Sequence, residues 1–424
     1  MADKVLNVYV NEVSMGVFDA TNDIWSFEYD EAWVNNPEAF ALSPKIPLAL
    51  GKSMDGSSER PVQHFFDNLL PEENARELLA KDLDVQDVED SFELLDKSGK
   101  ETAGALTIAH EVVTFPEREA TLLTNEELCQ RIEDLPQSPL NNNKQKRMSL
   151  AGAQHKMLVI FKDESLYEPN FSMPSTHILK PDHSRPEEYW QSTMNEWFIM
   201  KLAKAVGIDV PEVYIRYTPL PIYLIKRFDR QGEYPAHNRI HIIDACQLLG
   251  LGKGRKYKAS SVETYQDIVD LTRGKGLALQ GIYRWTLFNL LIGNGDAHLK
   301  NISFYQTHQG TELAPFYDLL STLIYGDPHH ILAQRLSVPI GTKTRFEEVN
   351  YKDIEEFAKS LGLPPKIMQR ITSHMMANID SEFQALYDEV KATPVRIQKA
   401  GELRMLRQIR HLVLKPMLVQ LSIG

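Results

Sequence analysis

The sequence predicts an α+β protein, strand-rich through its first half and mainly helical through its second. Two observations carry that expectation: the spacing of apolar residues and the placement of turn formers along the chain. Val5 to Val10, Val17 to Ala20 and Trp25 to Tyr29 are short β-like runs separated by Asn, Asp and Gly, and a helical segment follows near Pro71 to Ala80. These form an expected β-rich module over residues 1–103. A second strand-rich stretch begins near Gly104, with Met157 to Phe161, Thr176 to Leu179 and Ile222 to Ile225 as its strands. Between the last two, Trp190, Met194, Trp197, Phe198, Lys201, Leu202 and Ala205 recur at helical spacing, which predicts a helix over Glu187 to Val206. From Asp244 onward amphipathic segments dominate, among them Ile282 to Ile292, Tyr351 to Leu361 and Lys366 to Tyr387. The expected division is 1–103, 104–232 and 233–424, with no repeat of fixed period.

A chain of 424 residues, 43% hydrophobic, can bury a sizeable core and divide into two or three domains. No stretch reaches the roughly 20 apolar residues that a membrane span needs, and MADKVLNVYV lacks the layout of a secretion signal, so a cytoplasmic protein is expected. Cys129 and Cys246 stand far apart without CxxC or Cys/His clustering, which argues against a disulfide framework or a structural zinc. A formal net charge of −12 repels nucleic-acid phosphates, so direct DNA binding by this chain alone is not expected. Basic patches survive locally at Lys144, Lys146 and Arg147, at Lys253 to Lys258, and from Arg396 to Lys415, where a solvated helix face is the simpler reading.

The chemistry concentrates in LLIGNGDAHLKNISFYQTHQGTELAPFYDLLST, residues 290–322. Phosphoryl transfer needs positioning and charge neutralisation more than covalent catalysis. An Asp orients the attacking hydroxyl, while an Asn and a second Asp hold magnesium (Mg2+) against the phosphates of ATP. Asp296 and Asn301, five apart, have the Asp-to-Asn interval of a kinase catalytic loop. A two-residue hairpin turn at Gln309 and Gly310 would set Asn301 across an antiparallel ladder from Asp318. Each of these residues alone is an ordinary turn residue; the set, with His298 and Lys300 inside it and apolar flanks outside, reads as catalytic. His298 fits a structural role in the loop better than that of a base, and Lys300 either neutralises the transferring phosphate or faces solvent.

Upstream, Ser149, Ala151, Gly152, Ala153, Gln154, His155 and Lys156 precede a strand and supply small residues that let backbone amides approach phosphate, although one glycine makes a weak phosphate loop. Lys180 ends a strand-like run and fits the small-lobe lysine that contacts nucleotide phosphates, with Glu196 on the following helix as its ion-pair partner. The whole pattern corresponds to a two-lobed, protein-kinase-like fold with an extra N-terminal module.

SLAGAQHK at 149, HILKPD at 177, KRFDR at 226, IGNGDAHLKNISF at 292 and PFYDLLST at 315 resemble, in order, the motifs of the HipA toxin kinases. FDNLLPEENAR at 66 and GKETAGALTI at 99 resemble the family's N-terminal half, so the resemblance covers most of the chain. It implies an ATP-dependent serine/threonine protein kinase, paired with a small DNA-binding antitoxin of HipB type, that phosphorylates an essential factor, typically an aminoacyl-tRNA synthetase. DNA would be reached only through the antitoxin. By the same resemblance Asp296 is the catalytic Asp, Asn301 and Asp318 the magnesium ligands, and Lys180 the nucleotide lysine. The resemblance also makes Ser149 the expected self-phosphorylation site, where about 1.5 to 2 negative charges would expel the loop. Lys226 and Phe228 fall at the nucleotide base, with Lys226 departing from the acidic residue that family members often carry there. Asp318 is followed by Leu319 and Leu320 instead of Phe-Gly, so no DFG-type flip is implied.

Two other classes stay open. A small-molecule or lipid kinase shares the Asp, His and Asn spacing, and phosphate on sugars or lipids alone would identify it. A catalytically silent scaffold or co-repressor would bind the antitoxin and, through it, the operator, against which the complete set of Lys180, Asp296, Asn301 and Asp318 speaks.

Overall fold

The computed structural model describes residues 4–110, 120–135, 140, 154–169, 173–232, 234 and 238–422. The chain forms two compact units: Met1–Ser184 with Tyr217–Arg255 and Ser303–Glu312, and Arg185–Arg216 with Lys256–Ile302 and Leu313–Gly424.

The first unit is built on antiparallel sheets. In one, the strands lie in the order Lys52–Met54, Ser26–Tyr29, Val13–Asp19, Val5–Val10 and Leu106–Ala109. Its buried face meets the helix Pro61–Asp67, where Phe66 stacks on Phe18 with ring centroids 4.0 Å apart. In another, Pro221–Lys226, His177–Pro181, Met157–Lys162, Ser165–Glu168 and Thr121–Leu123 follow one another. Met157, Val159, Leu179, Ile222 and Leu224 from this sheet bury against Leu128 of the helix Asn125–Glu133. That helix starts with a reciprocal cap: Thr124 accepts from the Glu127 amide and Glu127 accepts from the Thr124 amide.

The segments Glu101–Gly104 and Arg227–Arg230 are joined by a buried charge cluster. Arg227 spans the Asp229 carboxylate, reaches Glu101 at 3.4 Å and donates to the Thr102 carbonyl at 3.1 Å. Arg230 meets Glu101 at 3.1 Å, and the Gly104 amide donates to Asp229 at 2.7 Å. Arg239 donates to Thr107 and to the Leu106 carbonyl. Burial opposes ionised carboxylates, yet the surrounding guanidinium groups hold Asp229 and Glu101 below the ordinary carboxylate range.

The second unit is helical: Ser192–Ala205, Val262–Leu271, Lys275–Ile292, Tyr351–Leu361, Pro365–Ala392, Lys399–Gln408 and Lys415–Gln420. Phe198 packs on Phe383 with centroids 4.6 Å apart, and Tyr265 sets its edge to Trp285 and to Phe357. The predicted helix over Glu187 to Val206 starts later, at Ser192, because Gln191 takes a left-handed φ of 55° and breaks the helical path before it. Between Gln408 and Lys415 the last helical run widens into a π-helix, Ile409–Leu414. Pro416 accounts for it, since proline lacks an amide hydrogen and its ring pushes away the carbonyl one turn back.

Candidate active site

The helix Lys275–Ile292 is sequestered along most of its length, with Trp285, Phe288, Leu291 and Ile292 all buried, so the loop after it leaves a rigid support. Gly293 ends that helix at a φ of 65°, and a Cβ there would lie 2.6 Å from Val413 Cγ1; no other residue fits. A relay of side-chain amides then fixes the loop. Asn289 donates to the Trp285 carbonyl, Asn294 donates to Asn289 at 2.9 Å, and the Asp296 amide donates to Asn294 at 3.0 Å. Asn301 closes the loop by donating its side-chain nitrogen to the Asp296 carbonyl at 3.0 Å. With its nitrogen so engaged, the amide of Asn301 has its oxygen as its acceptor group.

Asp296 keeps half of its side chain exposed, with 50% accessibility against 9% for His298. The Tyr257 hydroxyl donates to Asp296 Oδ1. His298 Nε2 lies 3.9 Å from the same oxygen, beyond hydrogen-bond range, and its ring meets Tyr257 edge-on at 4.9 Å. Lys300 is buried and does not face solvent; its carbonyl accepts from the Tyr317 hydroxyl at 2.8 Å.

Asp318 belongs to an irregular segment with a left-handed φ of 59°, a conformation that costs a non-glycine residue about 1 kcal/mol or more and that Asp tolerates comparatively well. The strands end at Thr307 and resume at Gly310, so the turn is His308 and Gln309, one residue before the predicted Gln309 and Gly310. The second strand stops at Leu313, and Asp318 therefore does not sit on a ladder opposite Asn301. What ties its segment to the loop of Asp296 is Thr322. Its hydroxyl accepts from the Gly295 amide at 2.7 Å, and its own amide donates to the Gly293 carbonyl at 3.0 Å. Asn195, from the helix Ser192–Ala205, holds the neighbouring Ser321 through both its amide and its carbonyl at 2.9 Å. Glu196 follows Asn195 and is buried.

In the strand-rich unit Lys180 is 8% exposed, lies opposite Tyr223 in the ladder and holds its Nζ 5.9 Å from that ring. Gln154 reaches the Pro181 carbonyl at 3.5 Å, beside His155 and Lys156; burial lowers the His155 imidazole from its ordinary value. Ser149, Ala151, Gly152 and Ala153 lie outside the described residues, as do Lys144, Lys146 and Arg147. Lys226 is exposed, while Phe228 is half-buried with its carbonyl accepting from the Tyr305 hydroxyl at 3.1 Å. The other charges of KRFDR, those of Arg227, Asp229 and Arg230, belong to the buried cluster.

Comparison with known proteins agrees along most of the chain. The HipA-like C-terminal domain family matches residues 148–383, and the HipA N-terminal domain family matches residues 6–109. The chain belongs to the HipA family of serine/threonine kinase toxins. The putative kinase Y4mE of Sinorhizobium fredii is 34% identical over 92% of this chain and 93% of its own length. The serine/threonine-protein kinase toxin HipA of Shewanella oneidensis is 32% identical over 86% of this chain and 84% of its own. A chain from the Shewanella oneidensis MR-1 complex of HipA, HipB and operator DNA superposes with a TM-score of 0.82 at 27% identity, covering 98% of this chain and 97% of that one. The α+β fold is thus the kinase-like fold of HipA.

Within this HipA-family chain, several residues that shape the site were not picked out from sequence: Tyr257, Asn294, Asn195, Thr322 and Tyr317. Each acts through a hydrogen bond to a residue of the motifs; Asn294, Tyr317 and Thr322 stand inside those motifs, while Tyr257 and Asn195 lie on other elements, where a single hydroxyl or amide leaves no periodic trace. The C-terminal basic run is largely committed to the fold itself. Arg410 clamps Asp380, Arg396 meets the buried Glu402, and Arg407 donates to the Tyr387 hydroxyl.

Proposed function

We propose that this chain is an ATP- and Mg2+-dependent serine/threonine protein kinase, a HipA-type toxin that phosphorylates an essential translation factor. The observation that carries the reading is the amide relay from Asn289 through Asn294 and Asp296 to Asn301, which holds a half-exposed carboxylate beside an oriented amide oxygen. Asp296 is the group that orients the acceptor hydroxyl and takes its proton. Asn301 and Asp318 supply an amide oxygen and a carboxylate, a donor set suited to a hard cation that completes its shell with phosphate oxygens and water. The bound Mg2+ would neutralise charge on the phosphates. Lys180, Gln154 and Lys156 serve the nucleotide phosphates with the loop that starts at Ser149, and Lys226 and Phe228 flank its base. Glu196 supports Lys180 by ion pairing. Lys300 and His298 complete the loop, the first as a cation and the second as packing. The expected division into 1–103, 104–232 and 233–424 is part of this reading.

Three further parts rest on the family. A HipB-type antitoxin is the partner, as the name of the Shewanella oneidensis complex indicates for its HipA. The substrate is an aminoacyl-tRNA synthetase, in the cytoplasm. Phosphorylation of Ser149 silences the enzyme by adding charge where ATP phosphates bind.

Incubation with magnesium and γ-labelled ATP, alone and with a cell extract, tests the proposal by mass spectrometry of labelled proteins. Label on Ser149 and on one synthetase is expected, and Asp296→Asn should lower transfer by roughly 10²–10⁴-fold while the fold persists. Label on sugars or lipids alone, or undiminished transfer by the variant, would refute the protein-kinase reading.

A further inference from the structure

The turn that follows Arg255 carries an exposed aromatic onto the catalytic carboxylate. Tyr257 is 41% exposed, yet its hydroxyl donates to Asp296 Oδ1. The turn is well anchored. The Leu299 amide in the catalytic loop donates to the Lys256 carbonyl at 3.3 Å, the Ser260 amide donates to the Tyr257 carbonyl at 3.0 Å, and the Ser260 hydroxyl donates to Lys256 at 2.9 Å. The Tyr257 ring lies edge-on to His298 and 5.3 Å from Lys256 Nζ. What Asp296 meets is therefore a hydroxyl donating to its side-chain oxygen at the protein surface.

That is the interaction an acceptor hydroxyl makes in phosphoryl transfer. We propose that Tyr257 occupies the acceptor-hydroxyl site as an internal stand-in and that a substrate serine or threonine must replace it at Asp296. The inference deepens the kinase reading and rests on it. With the substrate hydroxyl in that place, its oxygen forms a bond to the γ-phosphorus, the bond from the γ-phosphorus to the bridging oxygen breaks, ADP leaves with that electron pair, and the hydroxyl proton passes to Asp296. Tyr257 thereby sets how readily an acceptor, water included, reaches the carboxylate, and leaves the handling of ATP unchanged.

Tyr257→Phe keeps the ring against His298 and removes the hydroxyl. The test measures magnesium-dependent ATP hydrolysis without an acceptor protein, and transfer to dephosphorylated casein, for the full chain and the variant. Expected is a fall of about 2- to 10-fold in KM for casein and a similar rise in hydrolysis, the range one net hydrogen bond supports, with kcat for casein and KM for ATP unchanged. Tyr257→Leu, which also lacks the hydroxyl, should move the same way. A drop in kcat in both variants would show that the hydroxyl holds Asp296 in its working orientation, and unchanged constants would show that it does neither; each result overturns the proposal. Wild-type protein that turns over no more ATP than Asp296→Asn would instead bring down the kinase reading, and this inference with it.

Discussion

His241 is the plainest case of a residue whose burial has a thermodynamic consequence. Its ring stacks on Phe40 with centroids 5.1 Å apart, and its Nε2 lies 3.0 Å from the Leu42 carbonyl. Burial pushes the imidazole down to about 4, against an ordinary value of about 6.5. The folded state therefore stays neutral while the unfolded state takes up a proton between those values. Stability present above pH 6.5 is lost as the pH falls toward 4, on the order of 3 kcal/mol in all and about 2 kcal/mol by pH 5. Urea unfolding at pH 7 and pH 5 should show that extra loss in the wild type and not in His241→Gln. The same scale shows what sequence makes legible. Asp296 and Asn301 are readable because they stand five apart in one loop, whereas Tyr257 acts on that loop, and Asn195 on Ser321, from remote positions that no spacing rule connects to them. Lys180 reads as a strand-end lysine, and only the folded ladder places it against Tyr223.

Elements were legible in proportion to their periodicity. Tyr351–Leu361 falls within the predicted bounds because Ile354, Phe357, Ala358 and Leu361 keep one apolar stripe and because its start is marked chemically. Asn350 accepts from the amides of Lys352 and Asp353, and Asp353 returns a bond to the Asn350 amide at 2.8 Å. Asn350→Ala should cost about 1 kcal/mol in a urea titration and leave phosphoryl transfer intact. The hairpin after Ser303 was misplaced by one residue for a physical reason. Gly310 was expected inside the turn, where glycine is commonest, but it begins the return strand at a φ of 112°. Strand register turns on such single residues, so the ladder that would have aligned Asn301 with Asp318 was lost with it.

At the scale of the molecule, the N-terminal module and the sheet that carries Lys180 are fastened by charge. Two arginines, Arg227 and Arg230, share two carboxylates, Glu101 and Asp229, and Arg239 lies buried near them on Leu106 and Thr107. Burial lowers Arg230 to about 10, and the neighbouring Arg227 pushes the same way while Asp229 and Glu101 oppose it. Glu101→Gln leaves Arg227 and Arg230 with one counter-ion fewer in a dry setting. A loss of about 3–5 kcal/mol is expected, read as a shift in the urea midpoint, and replacing an exposed pair such as Lys275 and Asp270 should shift it far less. Composition showed only a net charge of −12 and could not reveal that a few charges are internal.

The clasp also has a chronology. Glu101 and Arg227 are separated by 126 residues of chain. At a synthesis rate of about 5–20 residues per second, the acid is made roughly 6–25 s before its first guanidinium partner. During that interval the N-terminal sheet can form on its own strands, but Glu101 must remain hydrated. The module is therefore clasped to the sheet that carries Lys180 only after the ribosome has passed KRFDR.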